Sequence, residues 1–333
     1  MSEKVLVTNE NSSLKFNGVS KIQFETNEKI FFGTYIVALP DYKRFSEFNN
    51  YFQIGMLFAI NDNGINNEVE FILQENVIPK NVKDNFLIGP VNKELSKRLD
   101  SLISRGDALF LNEVNTNYYI ALNSSSQLNA LHKHLDLNEI TRVGIISDFS
   151  SDKKLERRFK DRWFKNNLRD VITINSDDDD ANSTIRNFLD ISESTDRFDR
   201  IDKASFASIE FVPRARDDFK QIVLFPKDAN RMYELASLVR FNYGLDYEII
   251  ALTSELDEKI DQNEINLHKI SLIDHTYENK YGYDLNKSRS FSLGYDSMLI
   301  SYAISNRYQG NIKGLLGTYI VRSNSIEFIS YIN

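Results

Sequence analysis

Short apolar runs alternate with longer segments of helical periodicity along most of this chain. Ile36, Val37, Ala38 and Leu39 form a continuous apolar run, the pattern of a strand buried on both faces of a parallel sheet. Pro40 and Asp41 end it. Asp41 is expected to cap a helix over 45–60, where Phe45, Phe48, Phe52, Met56 and Ala59 recur at helical spacing. The turn Asn61-Asp62-Asn63-Gly64 leads into a strand over 69–73. Further strands are predicted at 86–88, 108–111 and 118–122, with Leu95, Leu99, Leu102 and Ile103 on one side of an intervening helix. Ser124, Ser125 and Ser126 open a helix carrying Leu128, Leu131 and Leu135. A second series follows, with strands at 143–146, 171–174, 222–225 and 247–252 and helices at 155–166, 183–189 and 229–241. Residues 1–30 stand apart: Val5, Val7, Ile22 and Phe24 alternate only weakly, as in a polar extension with one or two short strands. Repeated βα units require right-handed crossovers and parallel sheets covered by helices, so the fold class is α/β.

Composition narrows the functions. A chain of 333 residues can build two compact lobes or one large domain. The net charge of −8 disfavours nucleic acid and anionic lipid, so no nucleic-acid partner and no membrane contact by the chain itself are expected. The absence of cysteine excludes disulfides, thiolate metal sites, a thiol nucleophile and a lipid-bearing Cys. No run of about 18 apolar residues suggests a membrane span. The polar first eleven residues carry no export signal, so either the protein stays in the cytoplasm or a signal has been removed.

Candidate chemistry is sparse. His132 and His134 are two apart and point to different sides of a helix, while His268 and His275 fall in a region read as strand and connector. No metal site is expected from them. The run Asp177-Asp178-Asp179-Asp180 lacks the alternation and the glycine turn of a calcium loop and reads as a solvated connector. Nucleophile-elbow, zinc-protease, phosphate-loop and dinucleotide motifs are missing, so no catalytic residue and no cofactor are expected.

Seven segments carry distinctive residue patterns. They are Leu87-Ile88-Gly89-Pro90-Val91-Asn92-Lys93-Glu94, the Phe159 to Trp163 spacing, and Glu210-Phe211-Val212-Pro213-Arg214-Ala215-Arg216-Asp217-Asp218. Leu238-Val239-Arg240-Phe241-Asn242-Tyr243-Gly244, a segment at 247–254, Leu293-Gly294-Tyr295-Asp296 and Gly314-Leu315-Leu316-Gly317-Thr318-Tyr319 complete the set. Together they resemble the LppC/LpoA-type lipoproteins that activate penicillin-binding proteins: they run in that family's order over 31–331, and the pair formed by Pro213-Arg214-Ala215-Arg216 and Arg240-Phe241-Asn242-Tyr243 is the most specific of them.

The resemblance implies a type I periplasmic-binding-protein fold, in which two Rossmann-like lobes with parallel sheets are joined by three crossovers. Residues 1–30 would be an extension, lobe 1 would be 31–122 plus 273–313, and lobe 2 would be 123–272 plus 314–333. It also implies a non-catalytic periplasmic regulator of peptidoglycan synthesis. Its partner would be a class A penicillin-binding protein, and the full-length protein would be tethered to the outer membrane. The family's lipid-bearing Cys and the helical repeats that often precede this fold are missing, so anchoring is not expected of this chain.

In open α/β sheets a ligand sits beyond the carboxyl ends of the strands. Ligand candidates are therefore Pro40, Asp41, Tyr42, Gly89, Pro90, Asn112, Asn115, Asn123, Ser124 and Asp148. Solute-binding relatives of the fold commonly hold a small anion with Ser and Gly after the first strand. Asp41 at that place would repel an anion, which leaves a neutral or cationic small molecule, or an empty cleft. Arg214 and Arg216 are the partner-interface candidates, set against an internal network with Glu193, Asp196, Asp199 and Asp202 upstream. The alternative function is a solute-binding protein that closes its lobes on such a ligand.

Overall fold

A computed structural model describes residues 3–5, 31–121, 124–148, 153–165, 169–176, 180–205, 210–252, 260–273 and 285–330. The chain divides into two compact units, one made of residues 1–126 and 274–331 and the other built on 127–273.

Unit 1 is built on a six-stranded sheet in the order β1-β3-β2-β4-β5-β6. Its strands are β1 (Glu3–Val5), β2 (Tyr35–Leu39), β3 (Val69–Leu73), β4 (Phe86–Ile88), β5 (Ala108–Phe110) and β6 (Tyr118–Tyr119). Strands β2 to β6 are parallel, with Val37 paired to Phe71 on one side and Ile88 on the other. The exception is β1, which runs antiparallel along β3. The apolar run in β2 is explained by burial on both faces. Tyr35, Val37 and Leu39 enter one core, while Ile36 and Ala38 enter the core on the opposite side.

Helices α1 (Ser46–Asn63) and α9 (Leu285–Ser305) pack on the first of these faces, and α2 (Lys93–Asp100) accompanies the second. The α1–α9 crossing is unusually close because each helix presents a glycine. A Cβ at Gly55 would overlap the Phe291 carbonyl and lie 2.9 Å from Tyr295 N, and one at Gly294 would overlap the Phe52 carbonyl. The long α9 lies in the second of the two chain segments that form the unit. Its apolar residues, among them Phe291, Tyr295, Met298, Leu299 and Ala303, join Phe52 and Met56 in the core.

A small antiparallel sheet, β12 (Gly310–Lys313), β13 (Gly317–Val321) and β14 (Ile326–Ser330), completes the unit. It adds an antiparallel element to the expected parallel sheets, and residues 314–330 fall in unit 1 rather than with residues 127–273, where lobe 2 was expected to hold them. The cause is local: β13 pairs with β12 across a tight turn, and Ile312, Tyr319 and Val321 are buried in the same core as Tyr35.

Unit 2 holds a wholly parallel sheet in the order β11-β10-β9-β7-β8. Its strands are β7 (Arg142–Asp148), β8 (Asp170–Ser176), β9 (Gln221–Phe225), β10 (Glu248–Ala251) and β11 (Ile270–Leu272). Helices α3 (Ser124–Leu137) and α4 (Lys153–Trp163) put Leu128, Leu131, Leu135, Phe159 and Trp163 against Val143, Ile145, Val223 and Ile250. The remaining helices are α5 (Ala181–Phe188), α6 (Ile191–Ala204), α7 (Ala229–Phe241) and α8 (Gln262–His268). The acidic stretch from Glu193 to Asp202 therefore lies on a helix, and His268 ends a helix rather than lying in a strand. Asp177, Asp178, Asp179 and His275 lie outside the described residues.

Candidate functional site

Among the parallel strands of each unit the order reverses once, and that point is where an open α/β sheet offers room for a ligand. In unit 1 the reversal falls between the carboxyl ends of β2 and β4, which places Pro40, Asp41, Tyr42, Gly89 and Pro90 on one edge. Asn112 and Asn115 follow β5 on the same edge.

Most polar groups there are engaged by their own loops. Asp41 does not cap α1, whose first helical residue is Ser46 and whose cap position is Phe45. The Asp41 carboxylate instead accepts from Lys43 N at 3.1 Å, and its carbonyl accepts from Phe45 N at 3.1 Å. The helix cap expected of Asp41 is therefore not formed. One tight turn separates the strand from the helix, and the Asp side chain serves that turn. The Tyr42 hydroxyl accepts from Gln53 Nε2 at 3.0 Å. Gly89 adopts φ +94 beside Ala38, where a Cβ would come within 2.7 Å of the Ala38 carbonyl oxygen, so the backbone at this turn calls for glycine. The carbonyl of Pro90 accepts from the buried Ser96 hydroxyl at 3.1 Å. Asn112 donates its side-chain amide to the Val91 carbonyl. Asn115 is exposed and gives its backbone N–H to Asp100 at 2.9 Å. Burial would raise the Asp100 pKa, but the N–H groups of Asn117, Thr116 and Asn115 together hold it below the ordinary value.

Sequence reasoning missed Asn49. It is fully buried in the first turn of α1 and donates Nδ2 to the Pro40 carbonyl at 3.1 Å. Its spacing from Phe45, Phe48 and Phe52 gave a helix, but nothing in that spacing marked it as the residue that ties the helix to the end of β2.

In unit 2 the reversal lies between β7 and β9. Asp148 ends β7 opposite Ser176, and its side chain is outside the described residues, as is the whole of Asn123. Ser124 is half-buried at the start of α3. Beside Asp148, the buried Ser147 donates its hydroxyl to Glu156 Oε2 at 2.6 Å, and Glu156 Oε1 takes Lys160. Burial would raise the Glu156 pKa, but the Lys160 and Ser147 hydrogen bonds bring it below the usual carboxylate value. This trio is closed on itself and ties α4 to the sheet.

The partner-interface candidates separate. Arg216 forms a two-toothed pair with Asp218, at 2.7 Å from both Nε and Nη2. It also donates to the Phe188 carbonyl and lies over the Phe219 ring. Arg142 bridges Asp218 and Asp170, so Arg216 belongs to an internal network, with Asp190 and Asp218 as its acids rather than those on α6. Arg214 is exposed, and only its backbone N–H has a partner shown, the Ser194 hydroxyl. No group of three or more potential metal ligands occurs among the described residues.

Comparison with solved structures places these edges in a known frame. Over 90% of this chain and 99% of its own length, a protein of branched-chain amino acid ABC transport from Chromobacterium violaceum superposes with a TM-score of 0.61 at 14% identity. Its fold is that of the type I periplasmic-binding proteins. LpoA from Haemophilus influenzae matches 92% of this chain with a TM-score of 0.58 at 13% identity, and the chain spans 58% of the LpoA length. No family model matches, and no curated protein matches.

Within this type I frame the family-like segments have structural duties. Asp296 is fully buried and accepts from Leu315 N at 2.6 Å, Leu316 N at 2.9 Å and the Tyr319 hydroxyl at 2.8 Å. A Cβ at Gly314 would come within 2.5 Å of that carboxylate. The segment at 293–296 thus meets the one at 314–319. Arg240 caps the carbonyls of Gly244, Tyr247, His268 and Lys269, which ties α7 to α8 and to the start of β10. Phe159 and Trp163 stack at 5.7 Å, and His132 stacks on both, 4.8 Å from Phe159 and 6.1 Å from Trp163.

Proposed function

We propose that this chain is a non-catalytic periplasmic regulator of peptidoglycan synthesis that binds and activates a class A penicillin-binding protein. The observation that carries the reading is the ordered set of activator-like segments whose residues interlock, Asp296 with the turn at 314–317 above all. The likeness to LpoA over most of the chain supports it at the level of fold. Periplasmic location and outer-membrane tethering of the full-length protein belong to the same reading. In its test, the cross-linking rate of the cognate synthase is measured with and without the purified chain. A several-fold, concentration-dependent acceleration is expected. No acceleration together with no physical association removes the reading.

A second reading is a solute-binding protein for a small neutral or cationic molecule, favoured by the full-length likeness to the transporter protein. It expects a rise in melting temperature with one member of a ligand panel, because binding to the native state stabilises it by mass action. A flat response across amino acids, polyamines and sugars counts against it.

A further inference from the structure

The net charge of −8 conceals a strong local reversal. Between Lys153 and Arg169 the sequence carries eight Lys or Arg residues (153, 154, 157, 158, 160, 162, 165 and 169) against two acids, Glu156 and Asp161. Helix α4 spans most of this stretch and is sharply two-sided. Leu155, Phe159 and Trp163 are buried in unit 2, and Glu156 is buried with them, so one of the two acids is withdrawn from the surface. Lys154, Arg157, Arg158, Arg162 and Lys165 are exposed on the rest of the helix and just past its end. Arg162 donates to the neutral side chain of Asn129 on α3.

Two large apolar side chains flank the basic face. Phe164, next to Trp163, is 48% exposed, and Leu137, at the end of α3, is 74% exposed. The two helix ends belong to one surface, because Arg169 pairs with Asp136 and its guanidinium lies over the Trp163 ring at 4.4 Å.

We propose that this α3–α4 face docks unit 2 on an anionic lipid surface. Guanidinium and ammonium groups meet phosphate headgroups, and Phe164 and Leu137 enter the headgroup–acyl boundary. This chemistry needs both elements: cations for an anionic surface, and apolar anchors that a purely polar polyanion would leave in water. The overall negative charge does not prevent it, since charges beyond about 8–10 Å are screened at physiological ionic strength while those on α4 touch the phosphates. The proposal is independent of the regulator reading and of the solute-binding one.

The test is co-sedimentation of the full chain with phosphatidylcholine vesicles, with and without phosphatidylglycerol. Binding is expected only with phosphatidylglycerol, and it should weaken as salt is raised. Arg157→Gln with Lys165→Gln removes two surface cations and should lower the apparent affinity about 30-fold, at roughly 1 kcal/mol for each cation. The control Lys97→Gln, on exposed α2 of unit 1, should leave it unchanged. Leu137→Ser with Phe164→Ser should remove the part of the binding that survives high salt. Circular dichroism checks that these surface variants fold. Equal binding to both vesicles, no binding to either, or equal loss in the Lys97 control overturns the proposal. So does binding to polyglutamate, an acidic polypeptide surrogate, without binding to vesicles.

Discussion

The α1–α9 crossing makes a sharp prediction because two opposing effects act at Gly55. Gly55→Ala should stabilise α1 by about 1 kcal/mol through helix propensity alone. The new methyl would overlap the Phe291 carbonyl and lie 2.9 Å from Tyr295 N, and both of these are backbone atoms that cannot rotate away. The helices must therefore separate by on the order of 1 Å, a gap that forfeits a quarter to a half of the dispersion at each contact they share. Overpacking of this kind costs roughly 3 kcal/mol. The net expectation is a loss of about 2 kcal/mol, close to 30-fold in the folding equilibrium. Gly64→Ala supplies the contrast: its φ is +62 with open space around it, so only backbone strain of about 1 kcal/mol applies. Gly55→Ala with Gly294→Ala should cost less than the two singles added, because one separation relieves both overlaps. Urea unfolding followed by far-ultraviolet circular dichroism measures all three. Fluorescence of Trp163, the single tryptophan, reports unit 2 separately. A Gly55→Ala variant as stable as the parent, or more so, refutes the close-approach argument.

Other predictions concern buried ionisable groups. Burial pushes the Asp296 carboxyl up to about 7 against the pull of its three hydrogen bonds, above the ordinary 3.8. The folded state therefore holds that proton more tightly, and unit 1 should lose stability as pH rises from about 4 to about 7; Asp296→Asn should flatten the slope seen by hydrogen exchange in α9, and an unchanged slope contradicts the assignment. His132 behaves oppositely. Burial, with Arg162 nearby, pushes it from 6.5 down to about 4, so unit 2 should lose stability, on the order of 2–3 kcal/mol, as pH falls from about 6.5 to 4. His132→Phe, which keeps the stack on Phe159, should remove that acid sensitivity in Trp163 fluorescence. The Asp218 carboxyl is held down to about 2, chiefly by Arg216. Its contribution is present above about 4 and lost as pH falls toward 2; because the pair is partly exposed, Arg216→Gln should cost only about 1 kcal/mol near neutrality in urea titration.

The α/β class, most of the βα units and the apolar positions of α1, α2 and α3 are legible in the residue pattern, whereas α6, α8 and α9 are not. The legible features depend on local periodicity, and a parallel strand such as Ile36 to Leu39 announces itself by being apolar throughout. The pattern also located Pro40, Asp41, Gly89 and Pro90 at a strand-end edge, because strand ends follow once strands are found. What the tertiary structure alone decided was partnership. The residue after a strand often caps the next helix, but only the three-dimensional turn shows the Asp41 carboxylate on Lys43 N instead. The C-terminal strands joined unit 1 because the local β12–β13 hairpin sends Tyr319 to Asp296, 23 residues back, a contact that no local pattern encodes. Arg216 found Asp218 and Asp190 rather than the α6 acids. The basic residues of 153–169 were visible in the sequence, but not that Glu156 turns inward beside Ser147 and leaves the cations to dominate the surface. Periodicity fixes which way a side chain faces within its own element, whereas the group that meets it is set by the packing of elements distant in the chain.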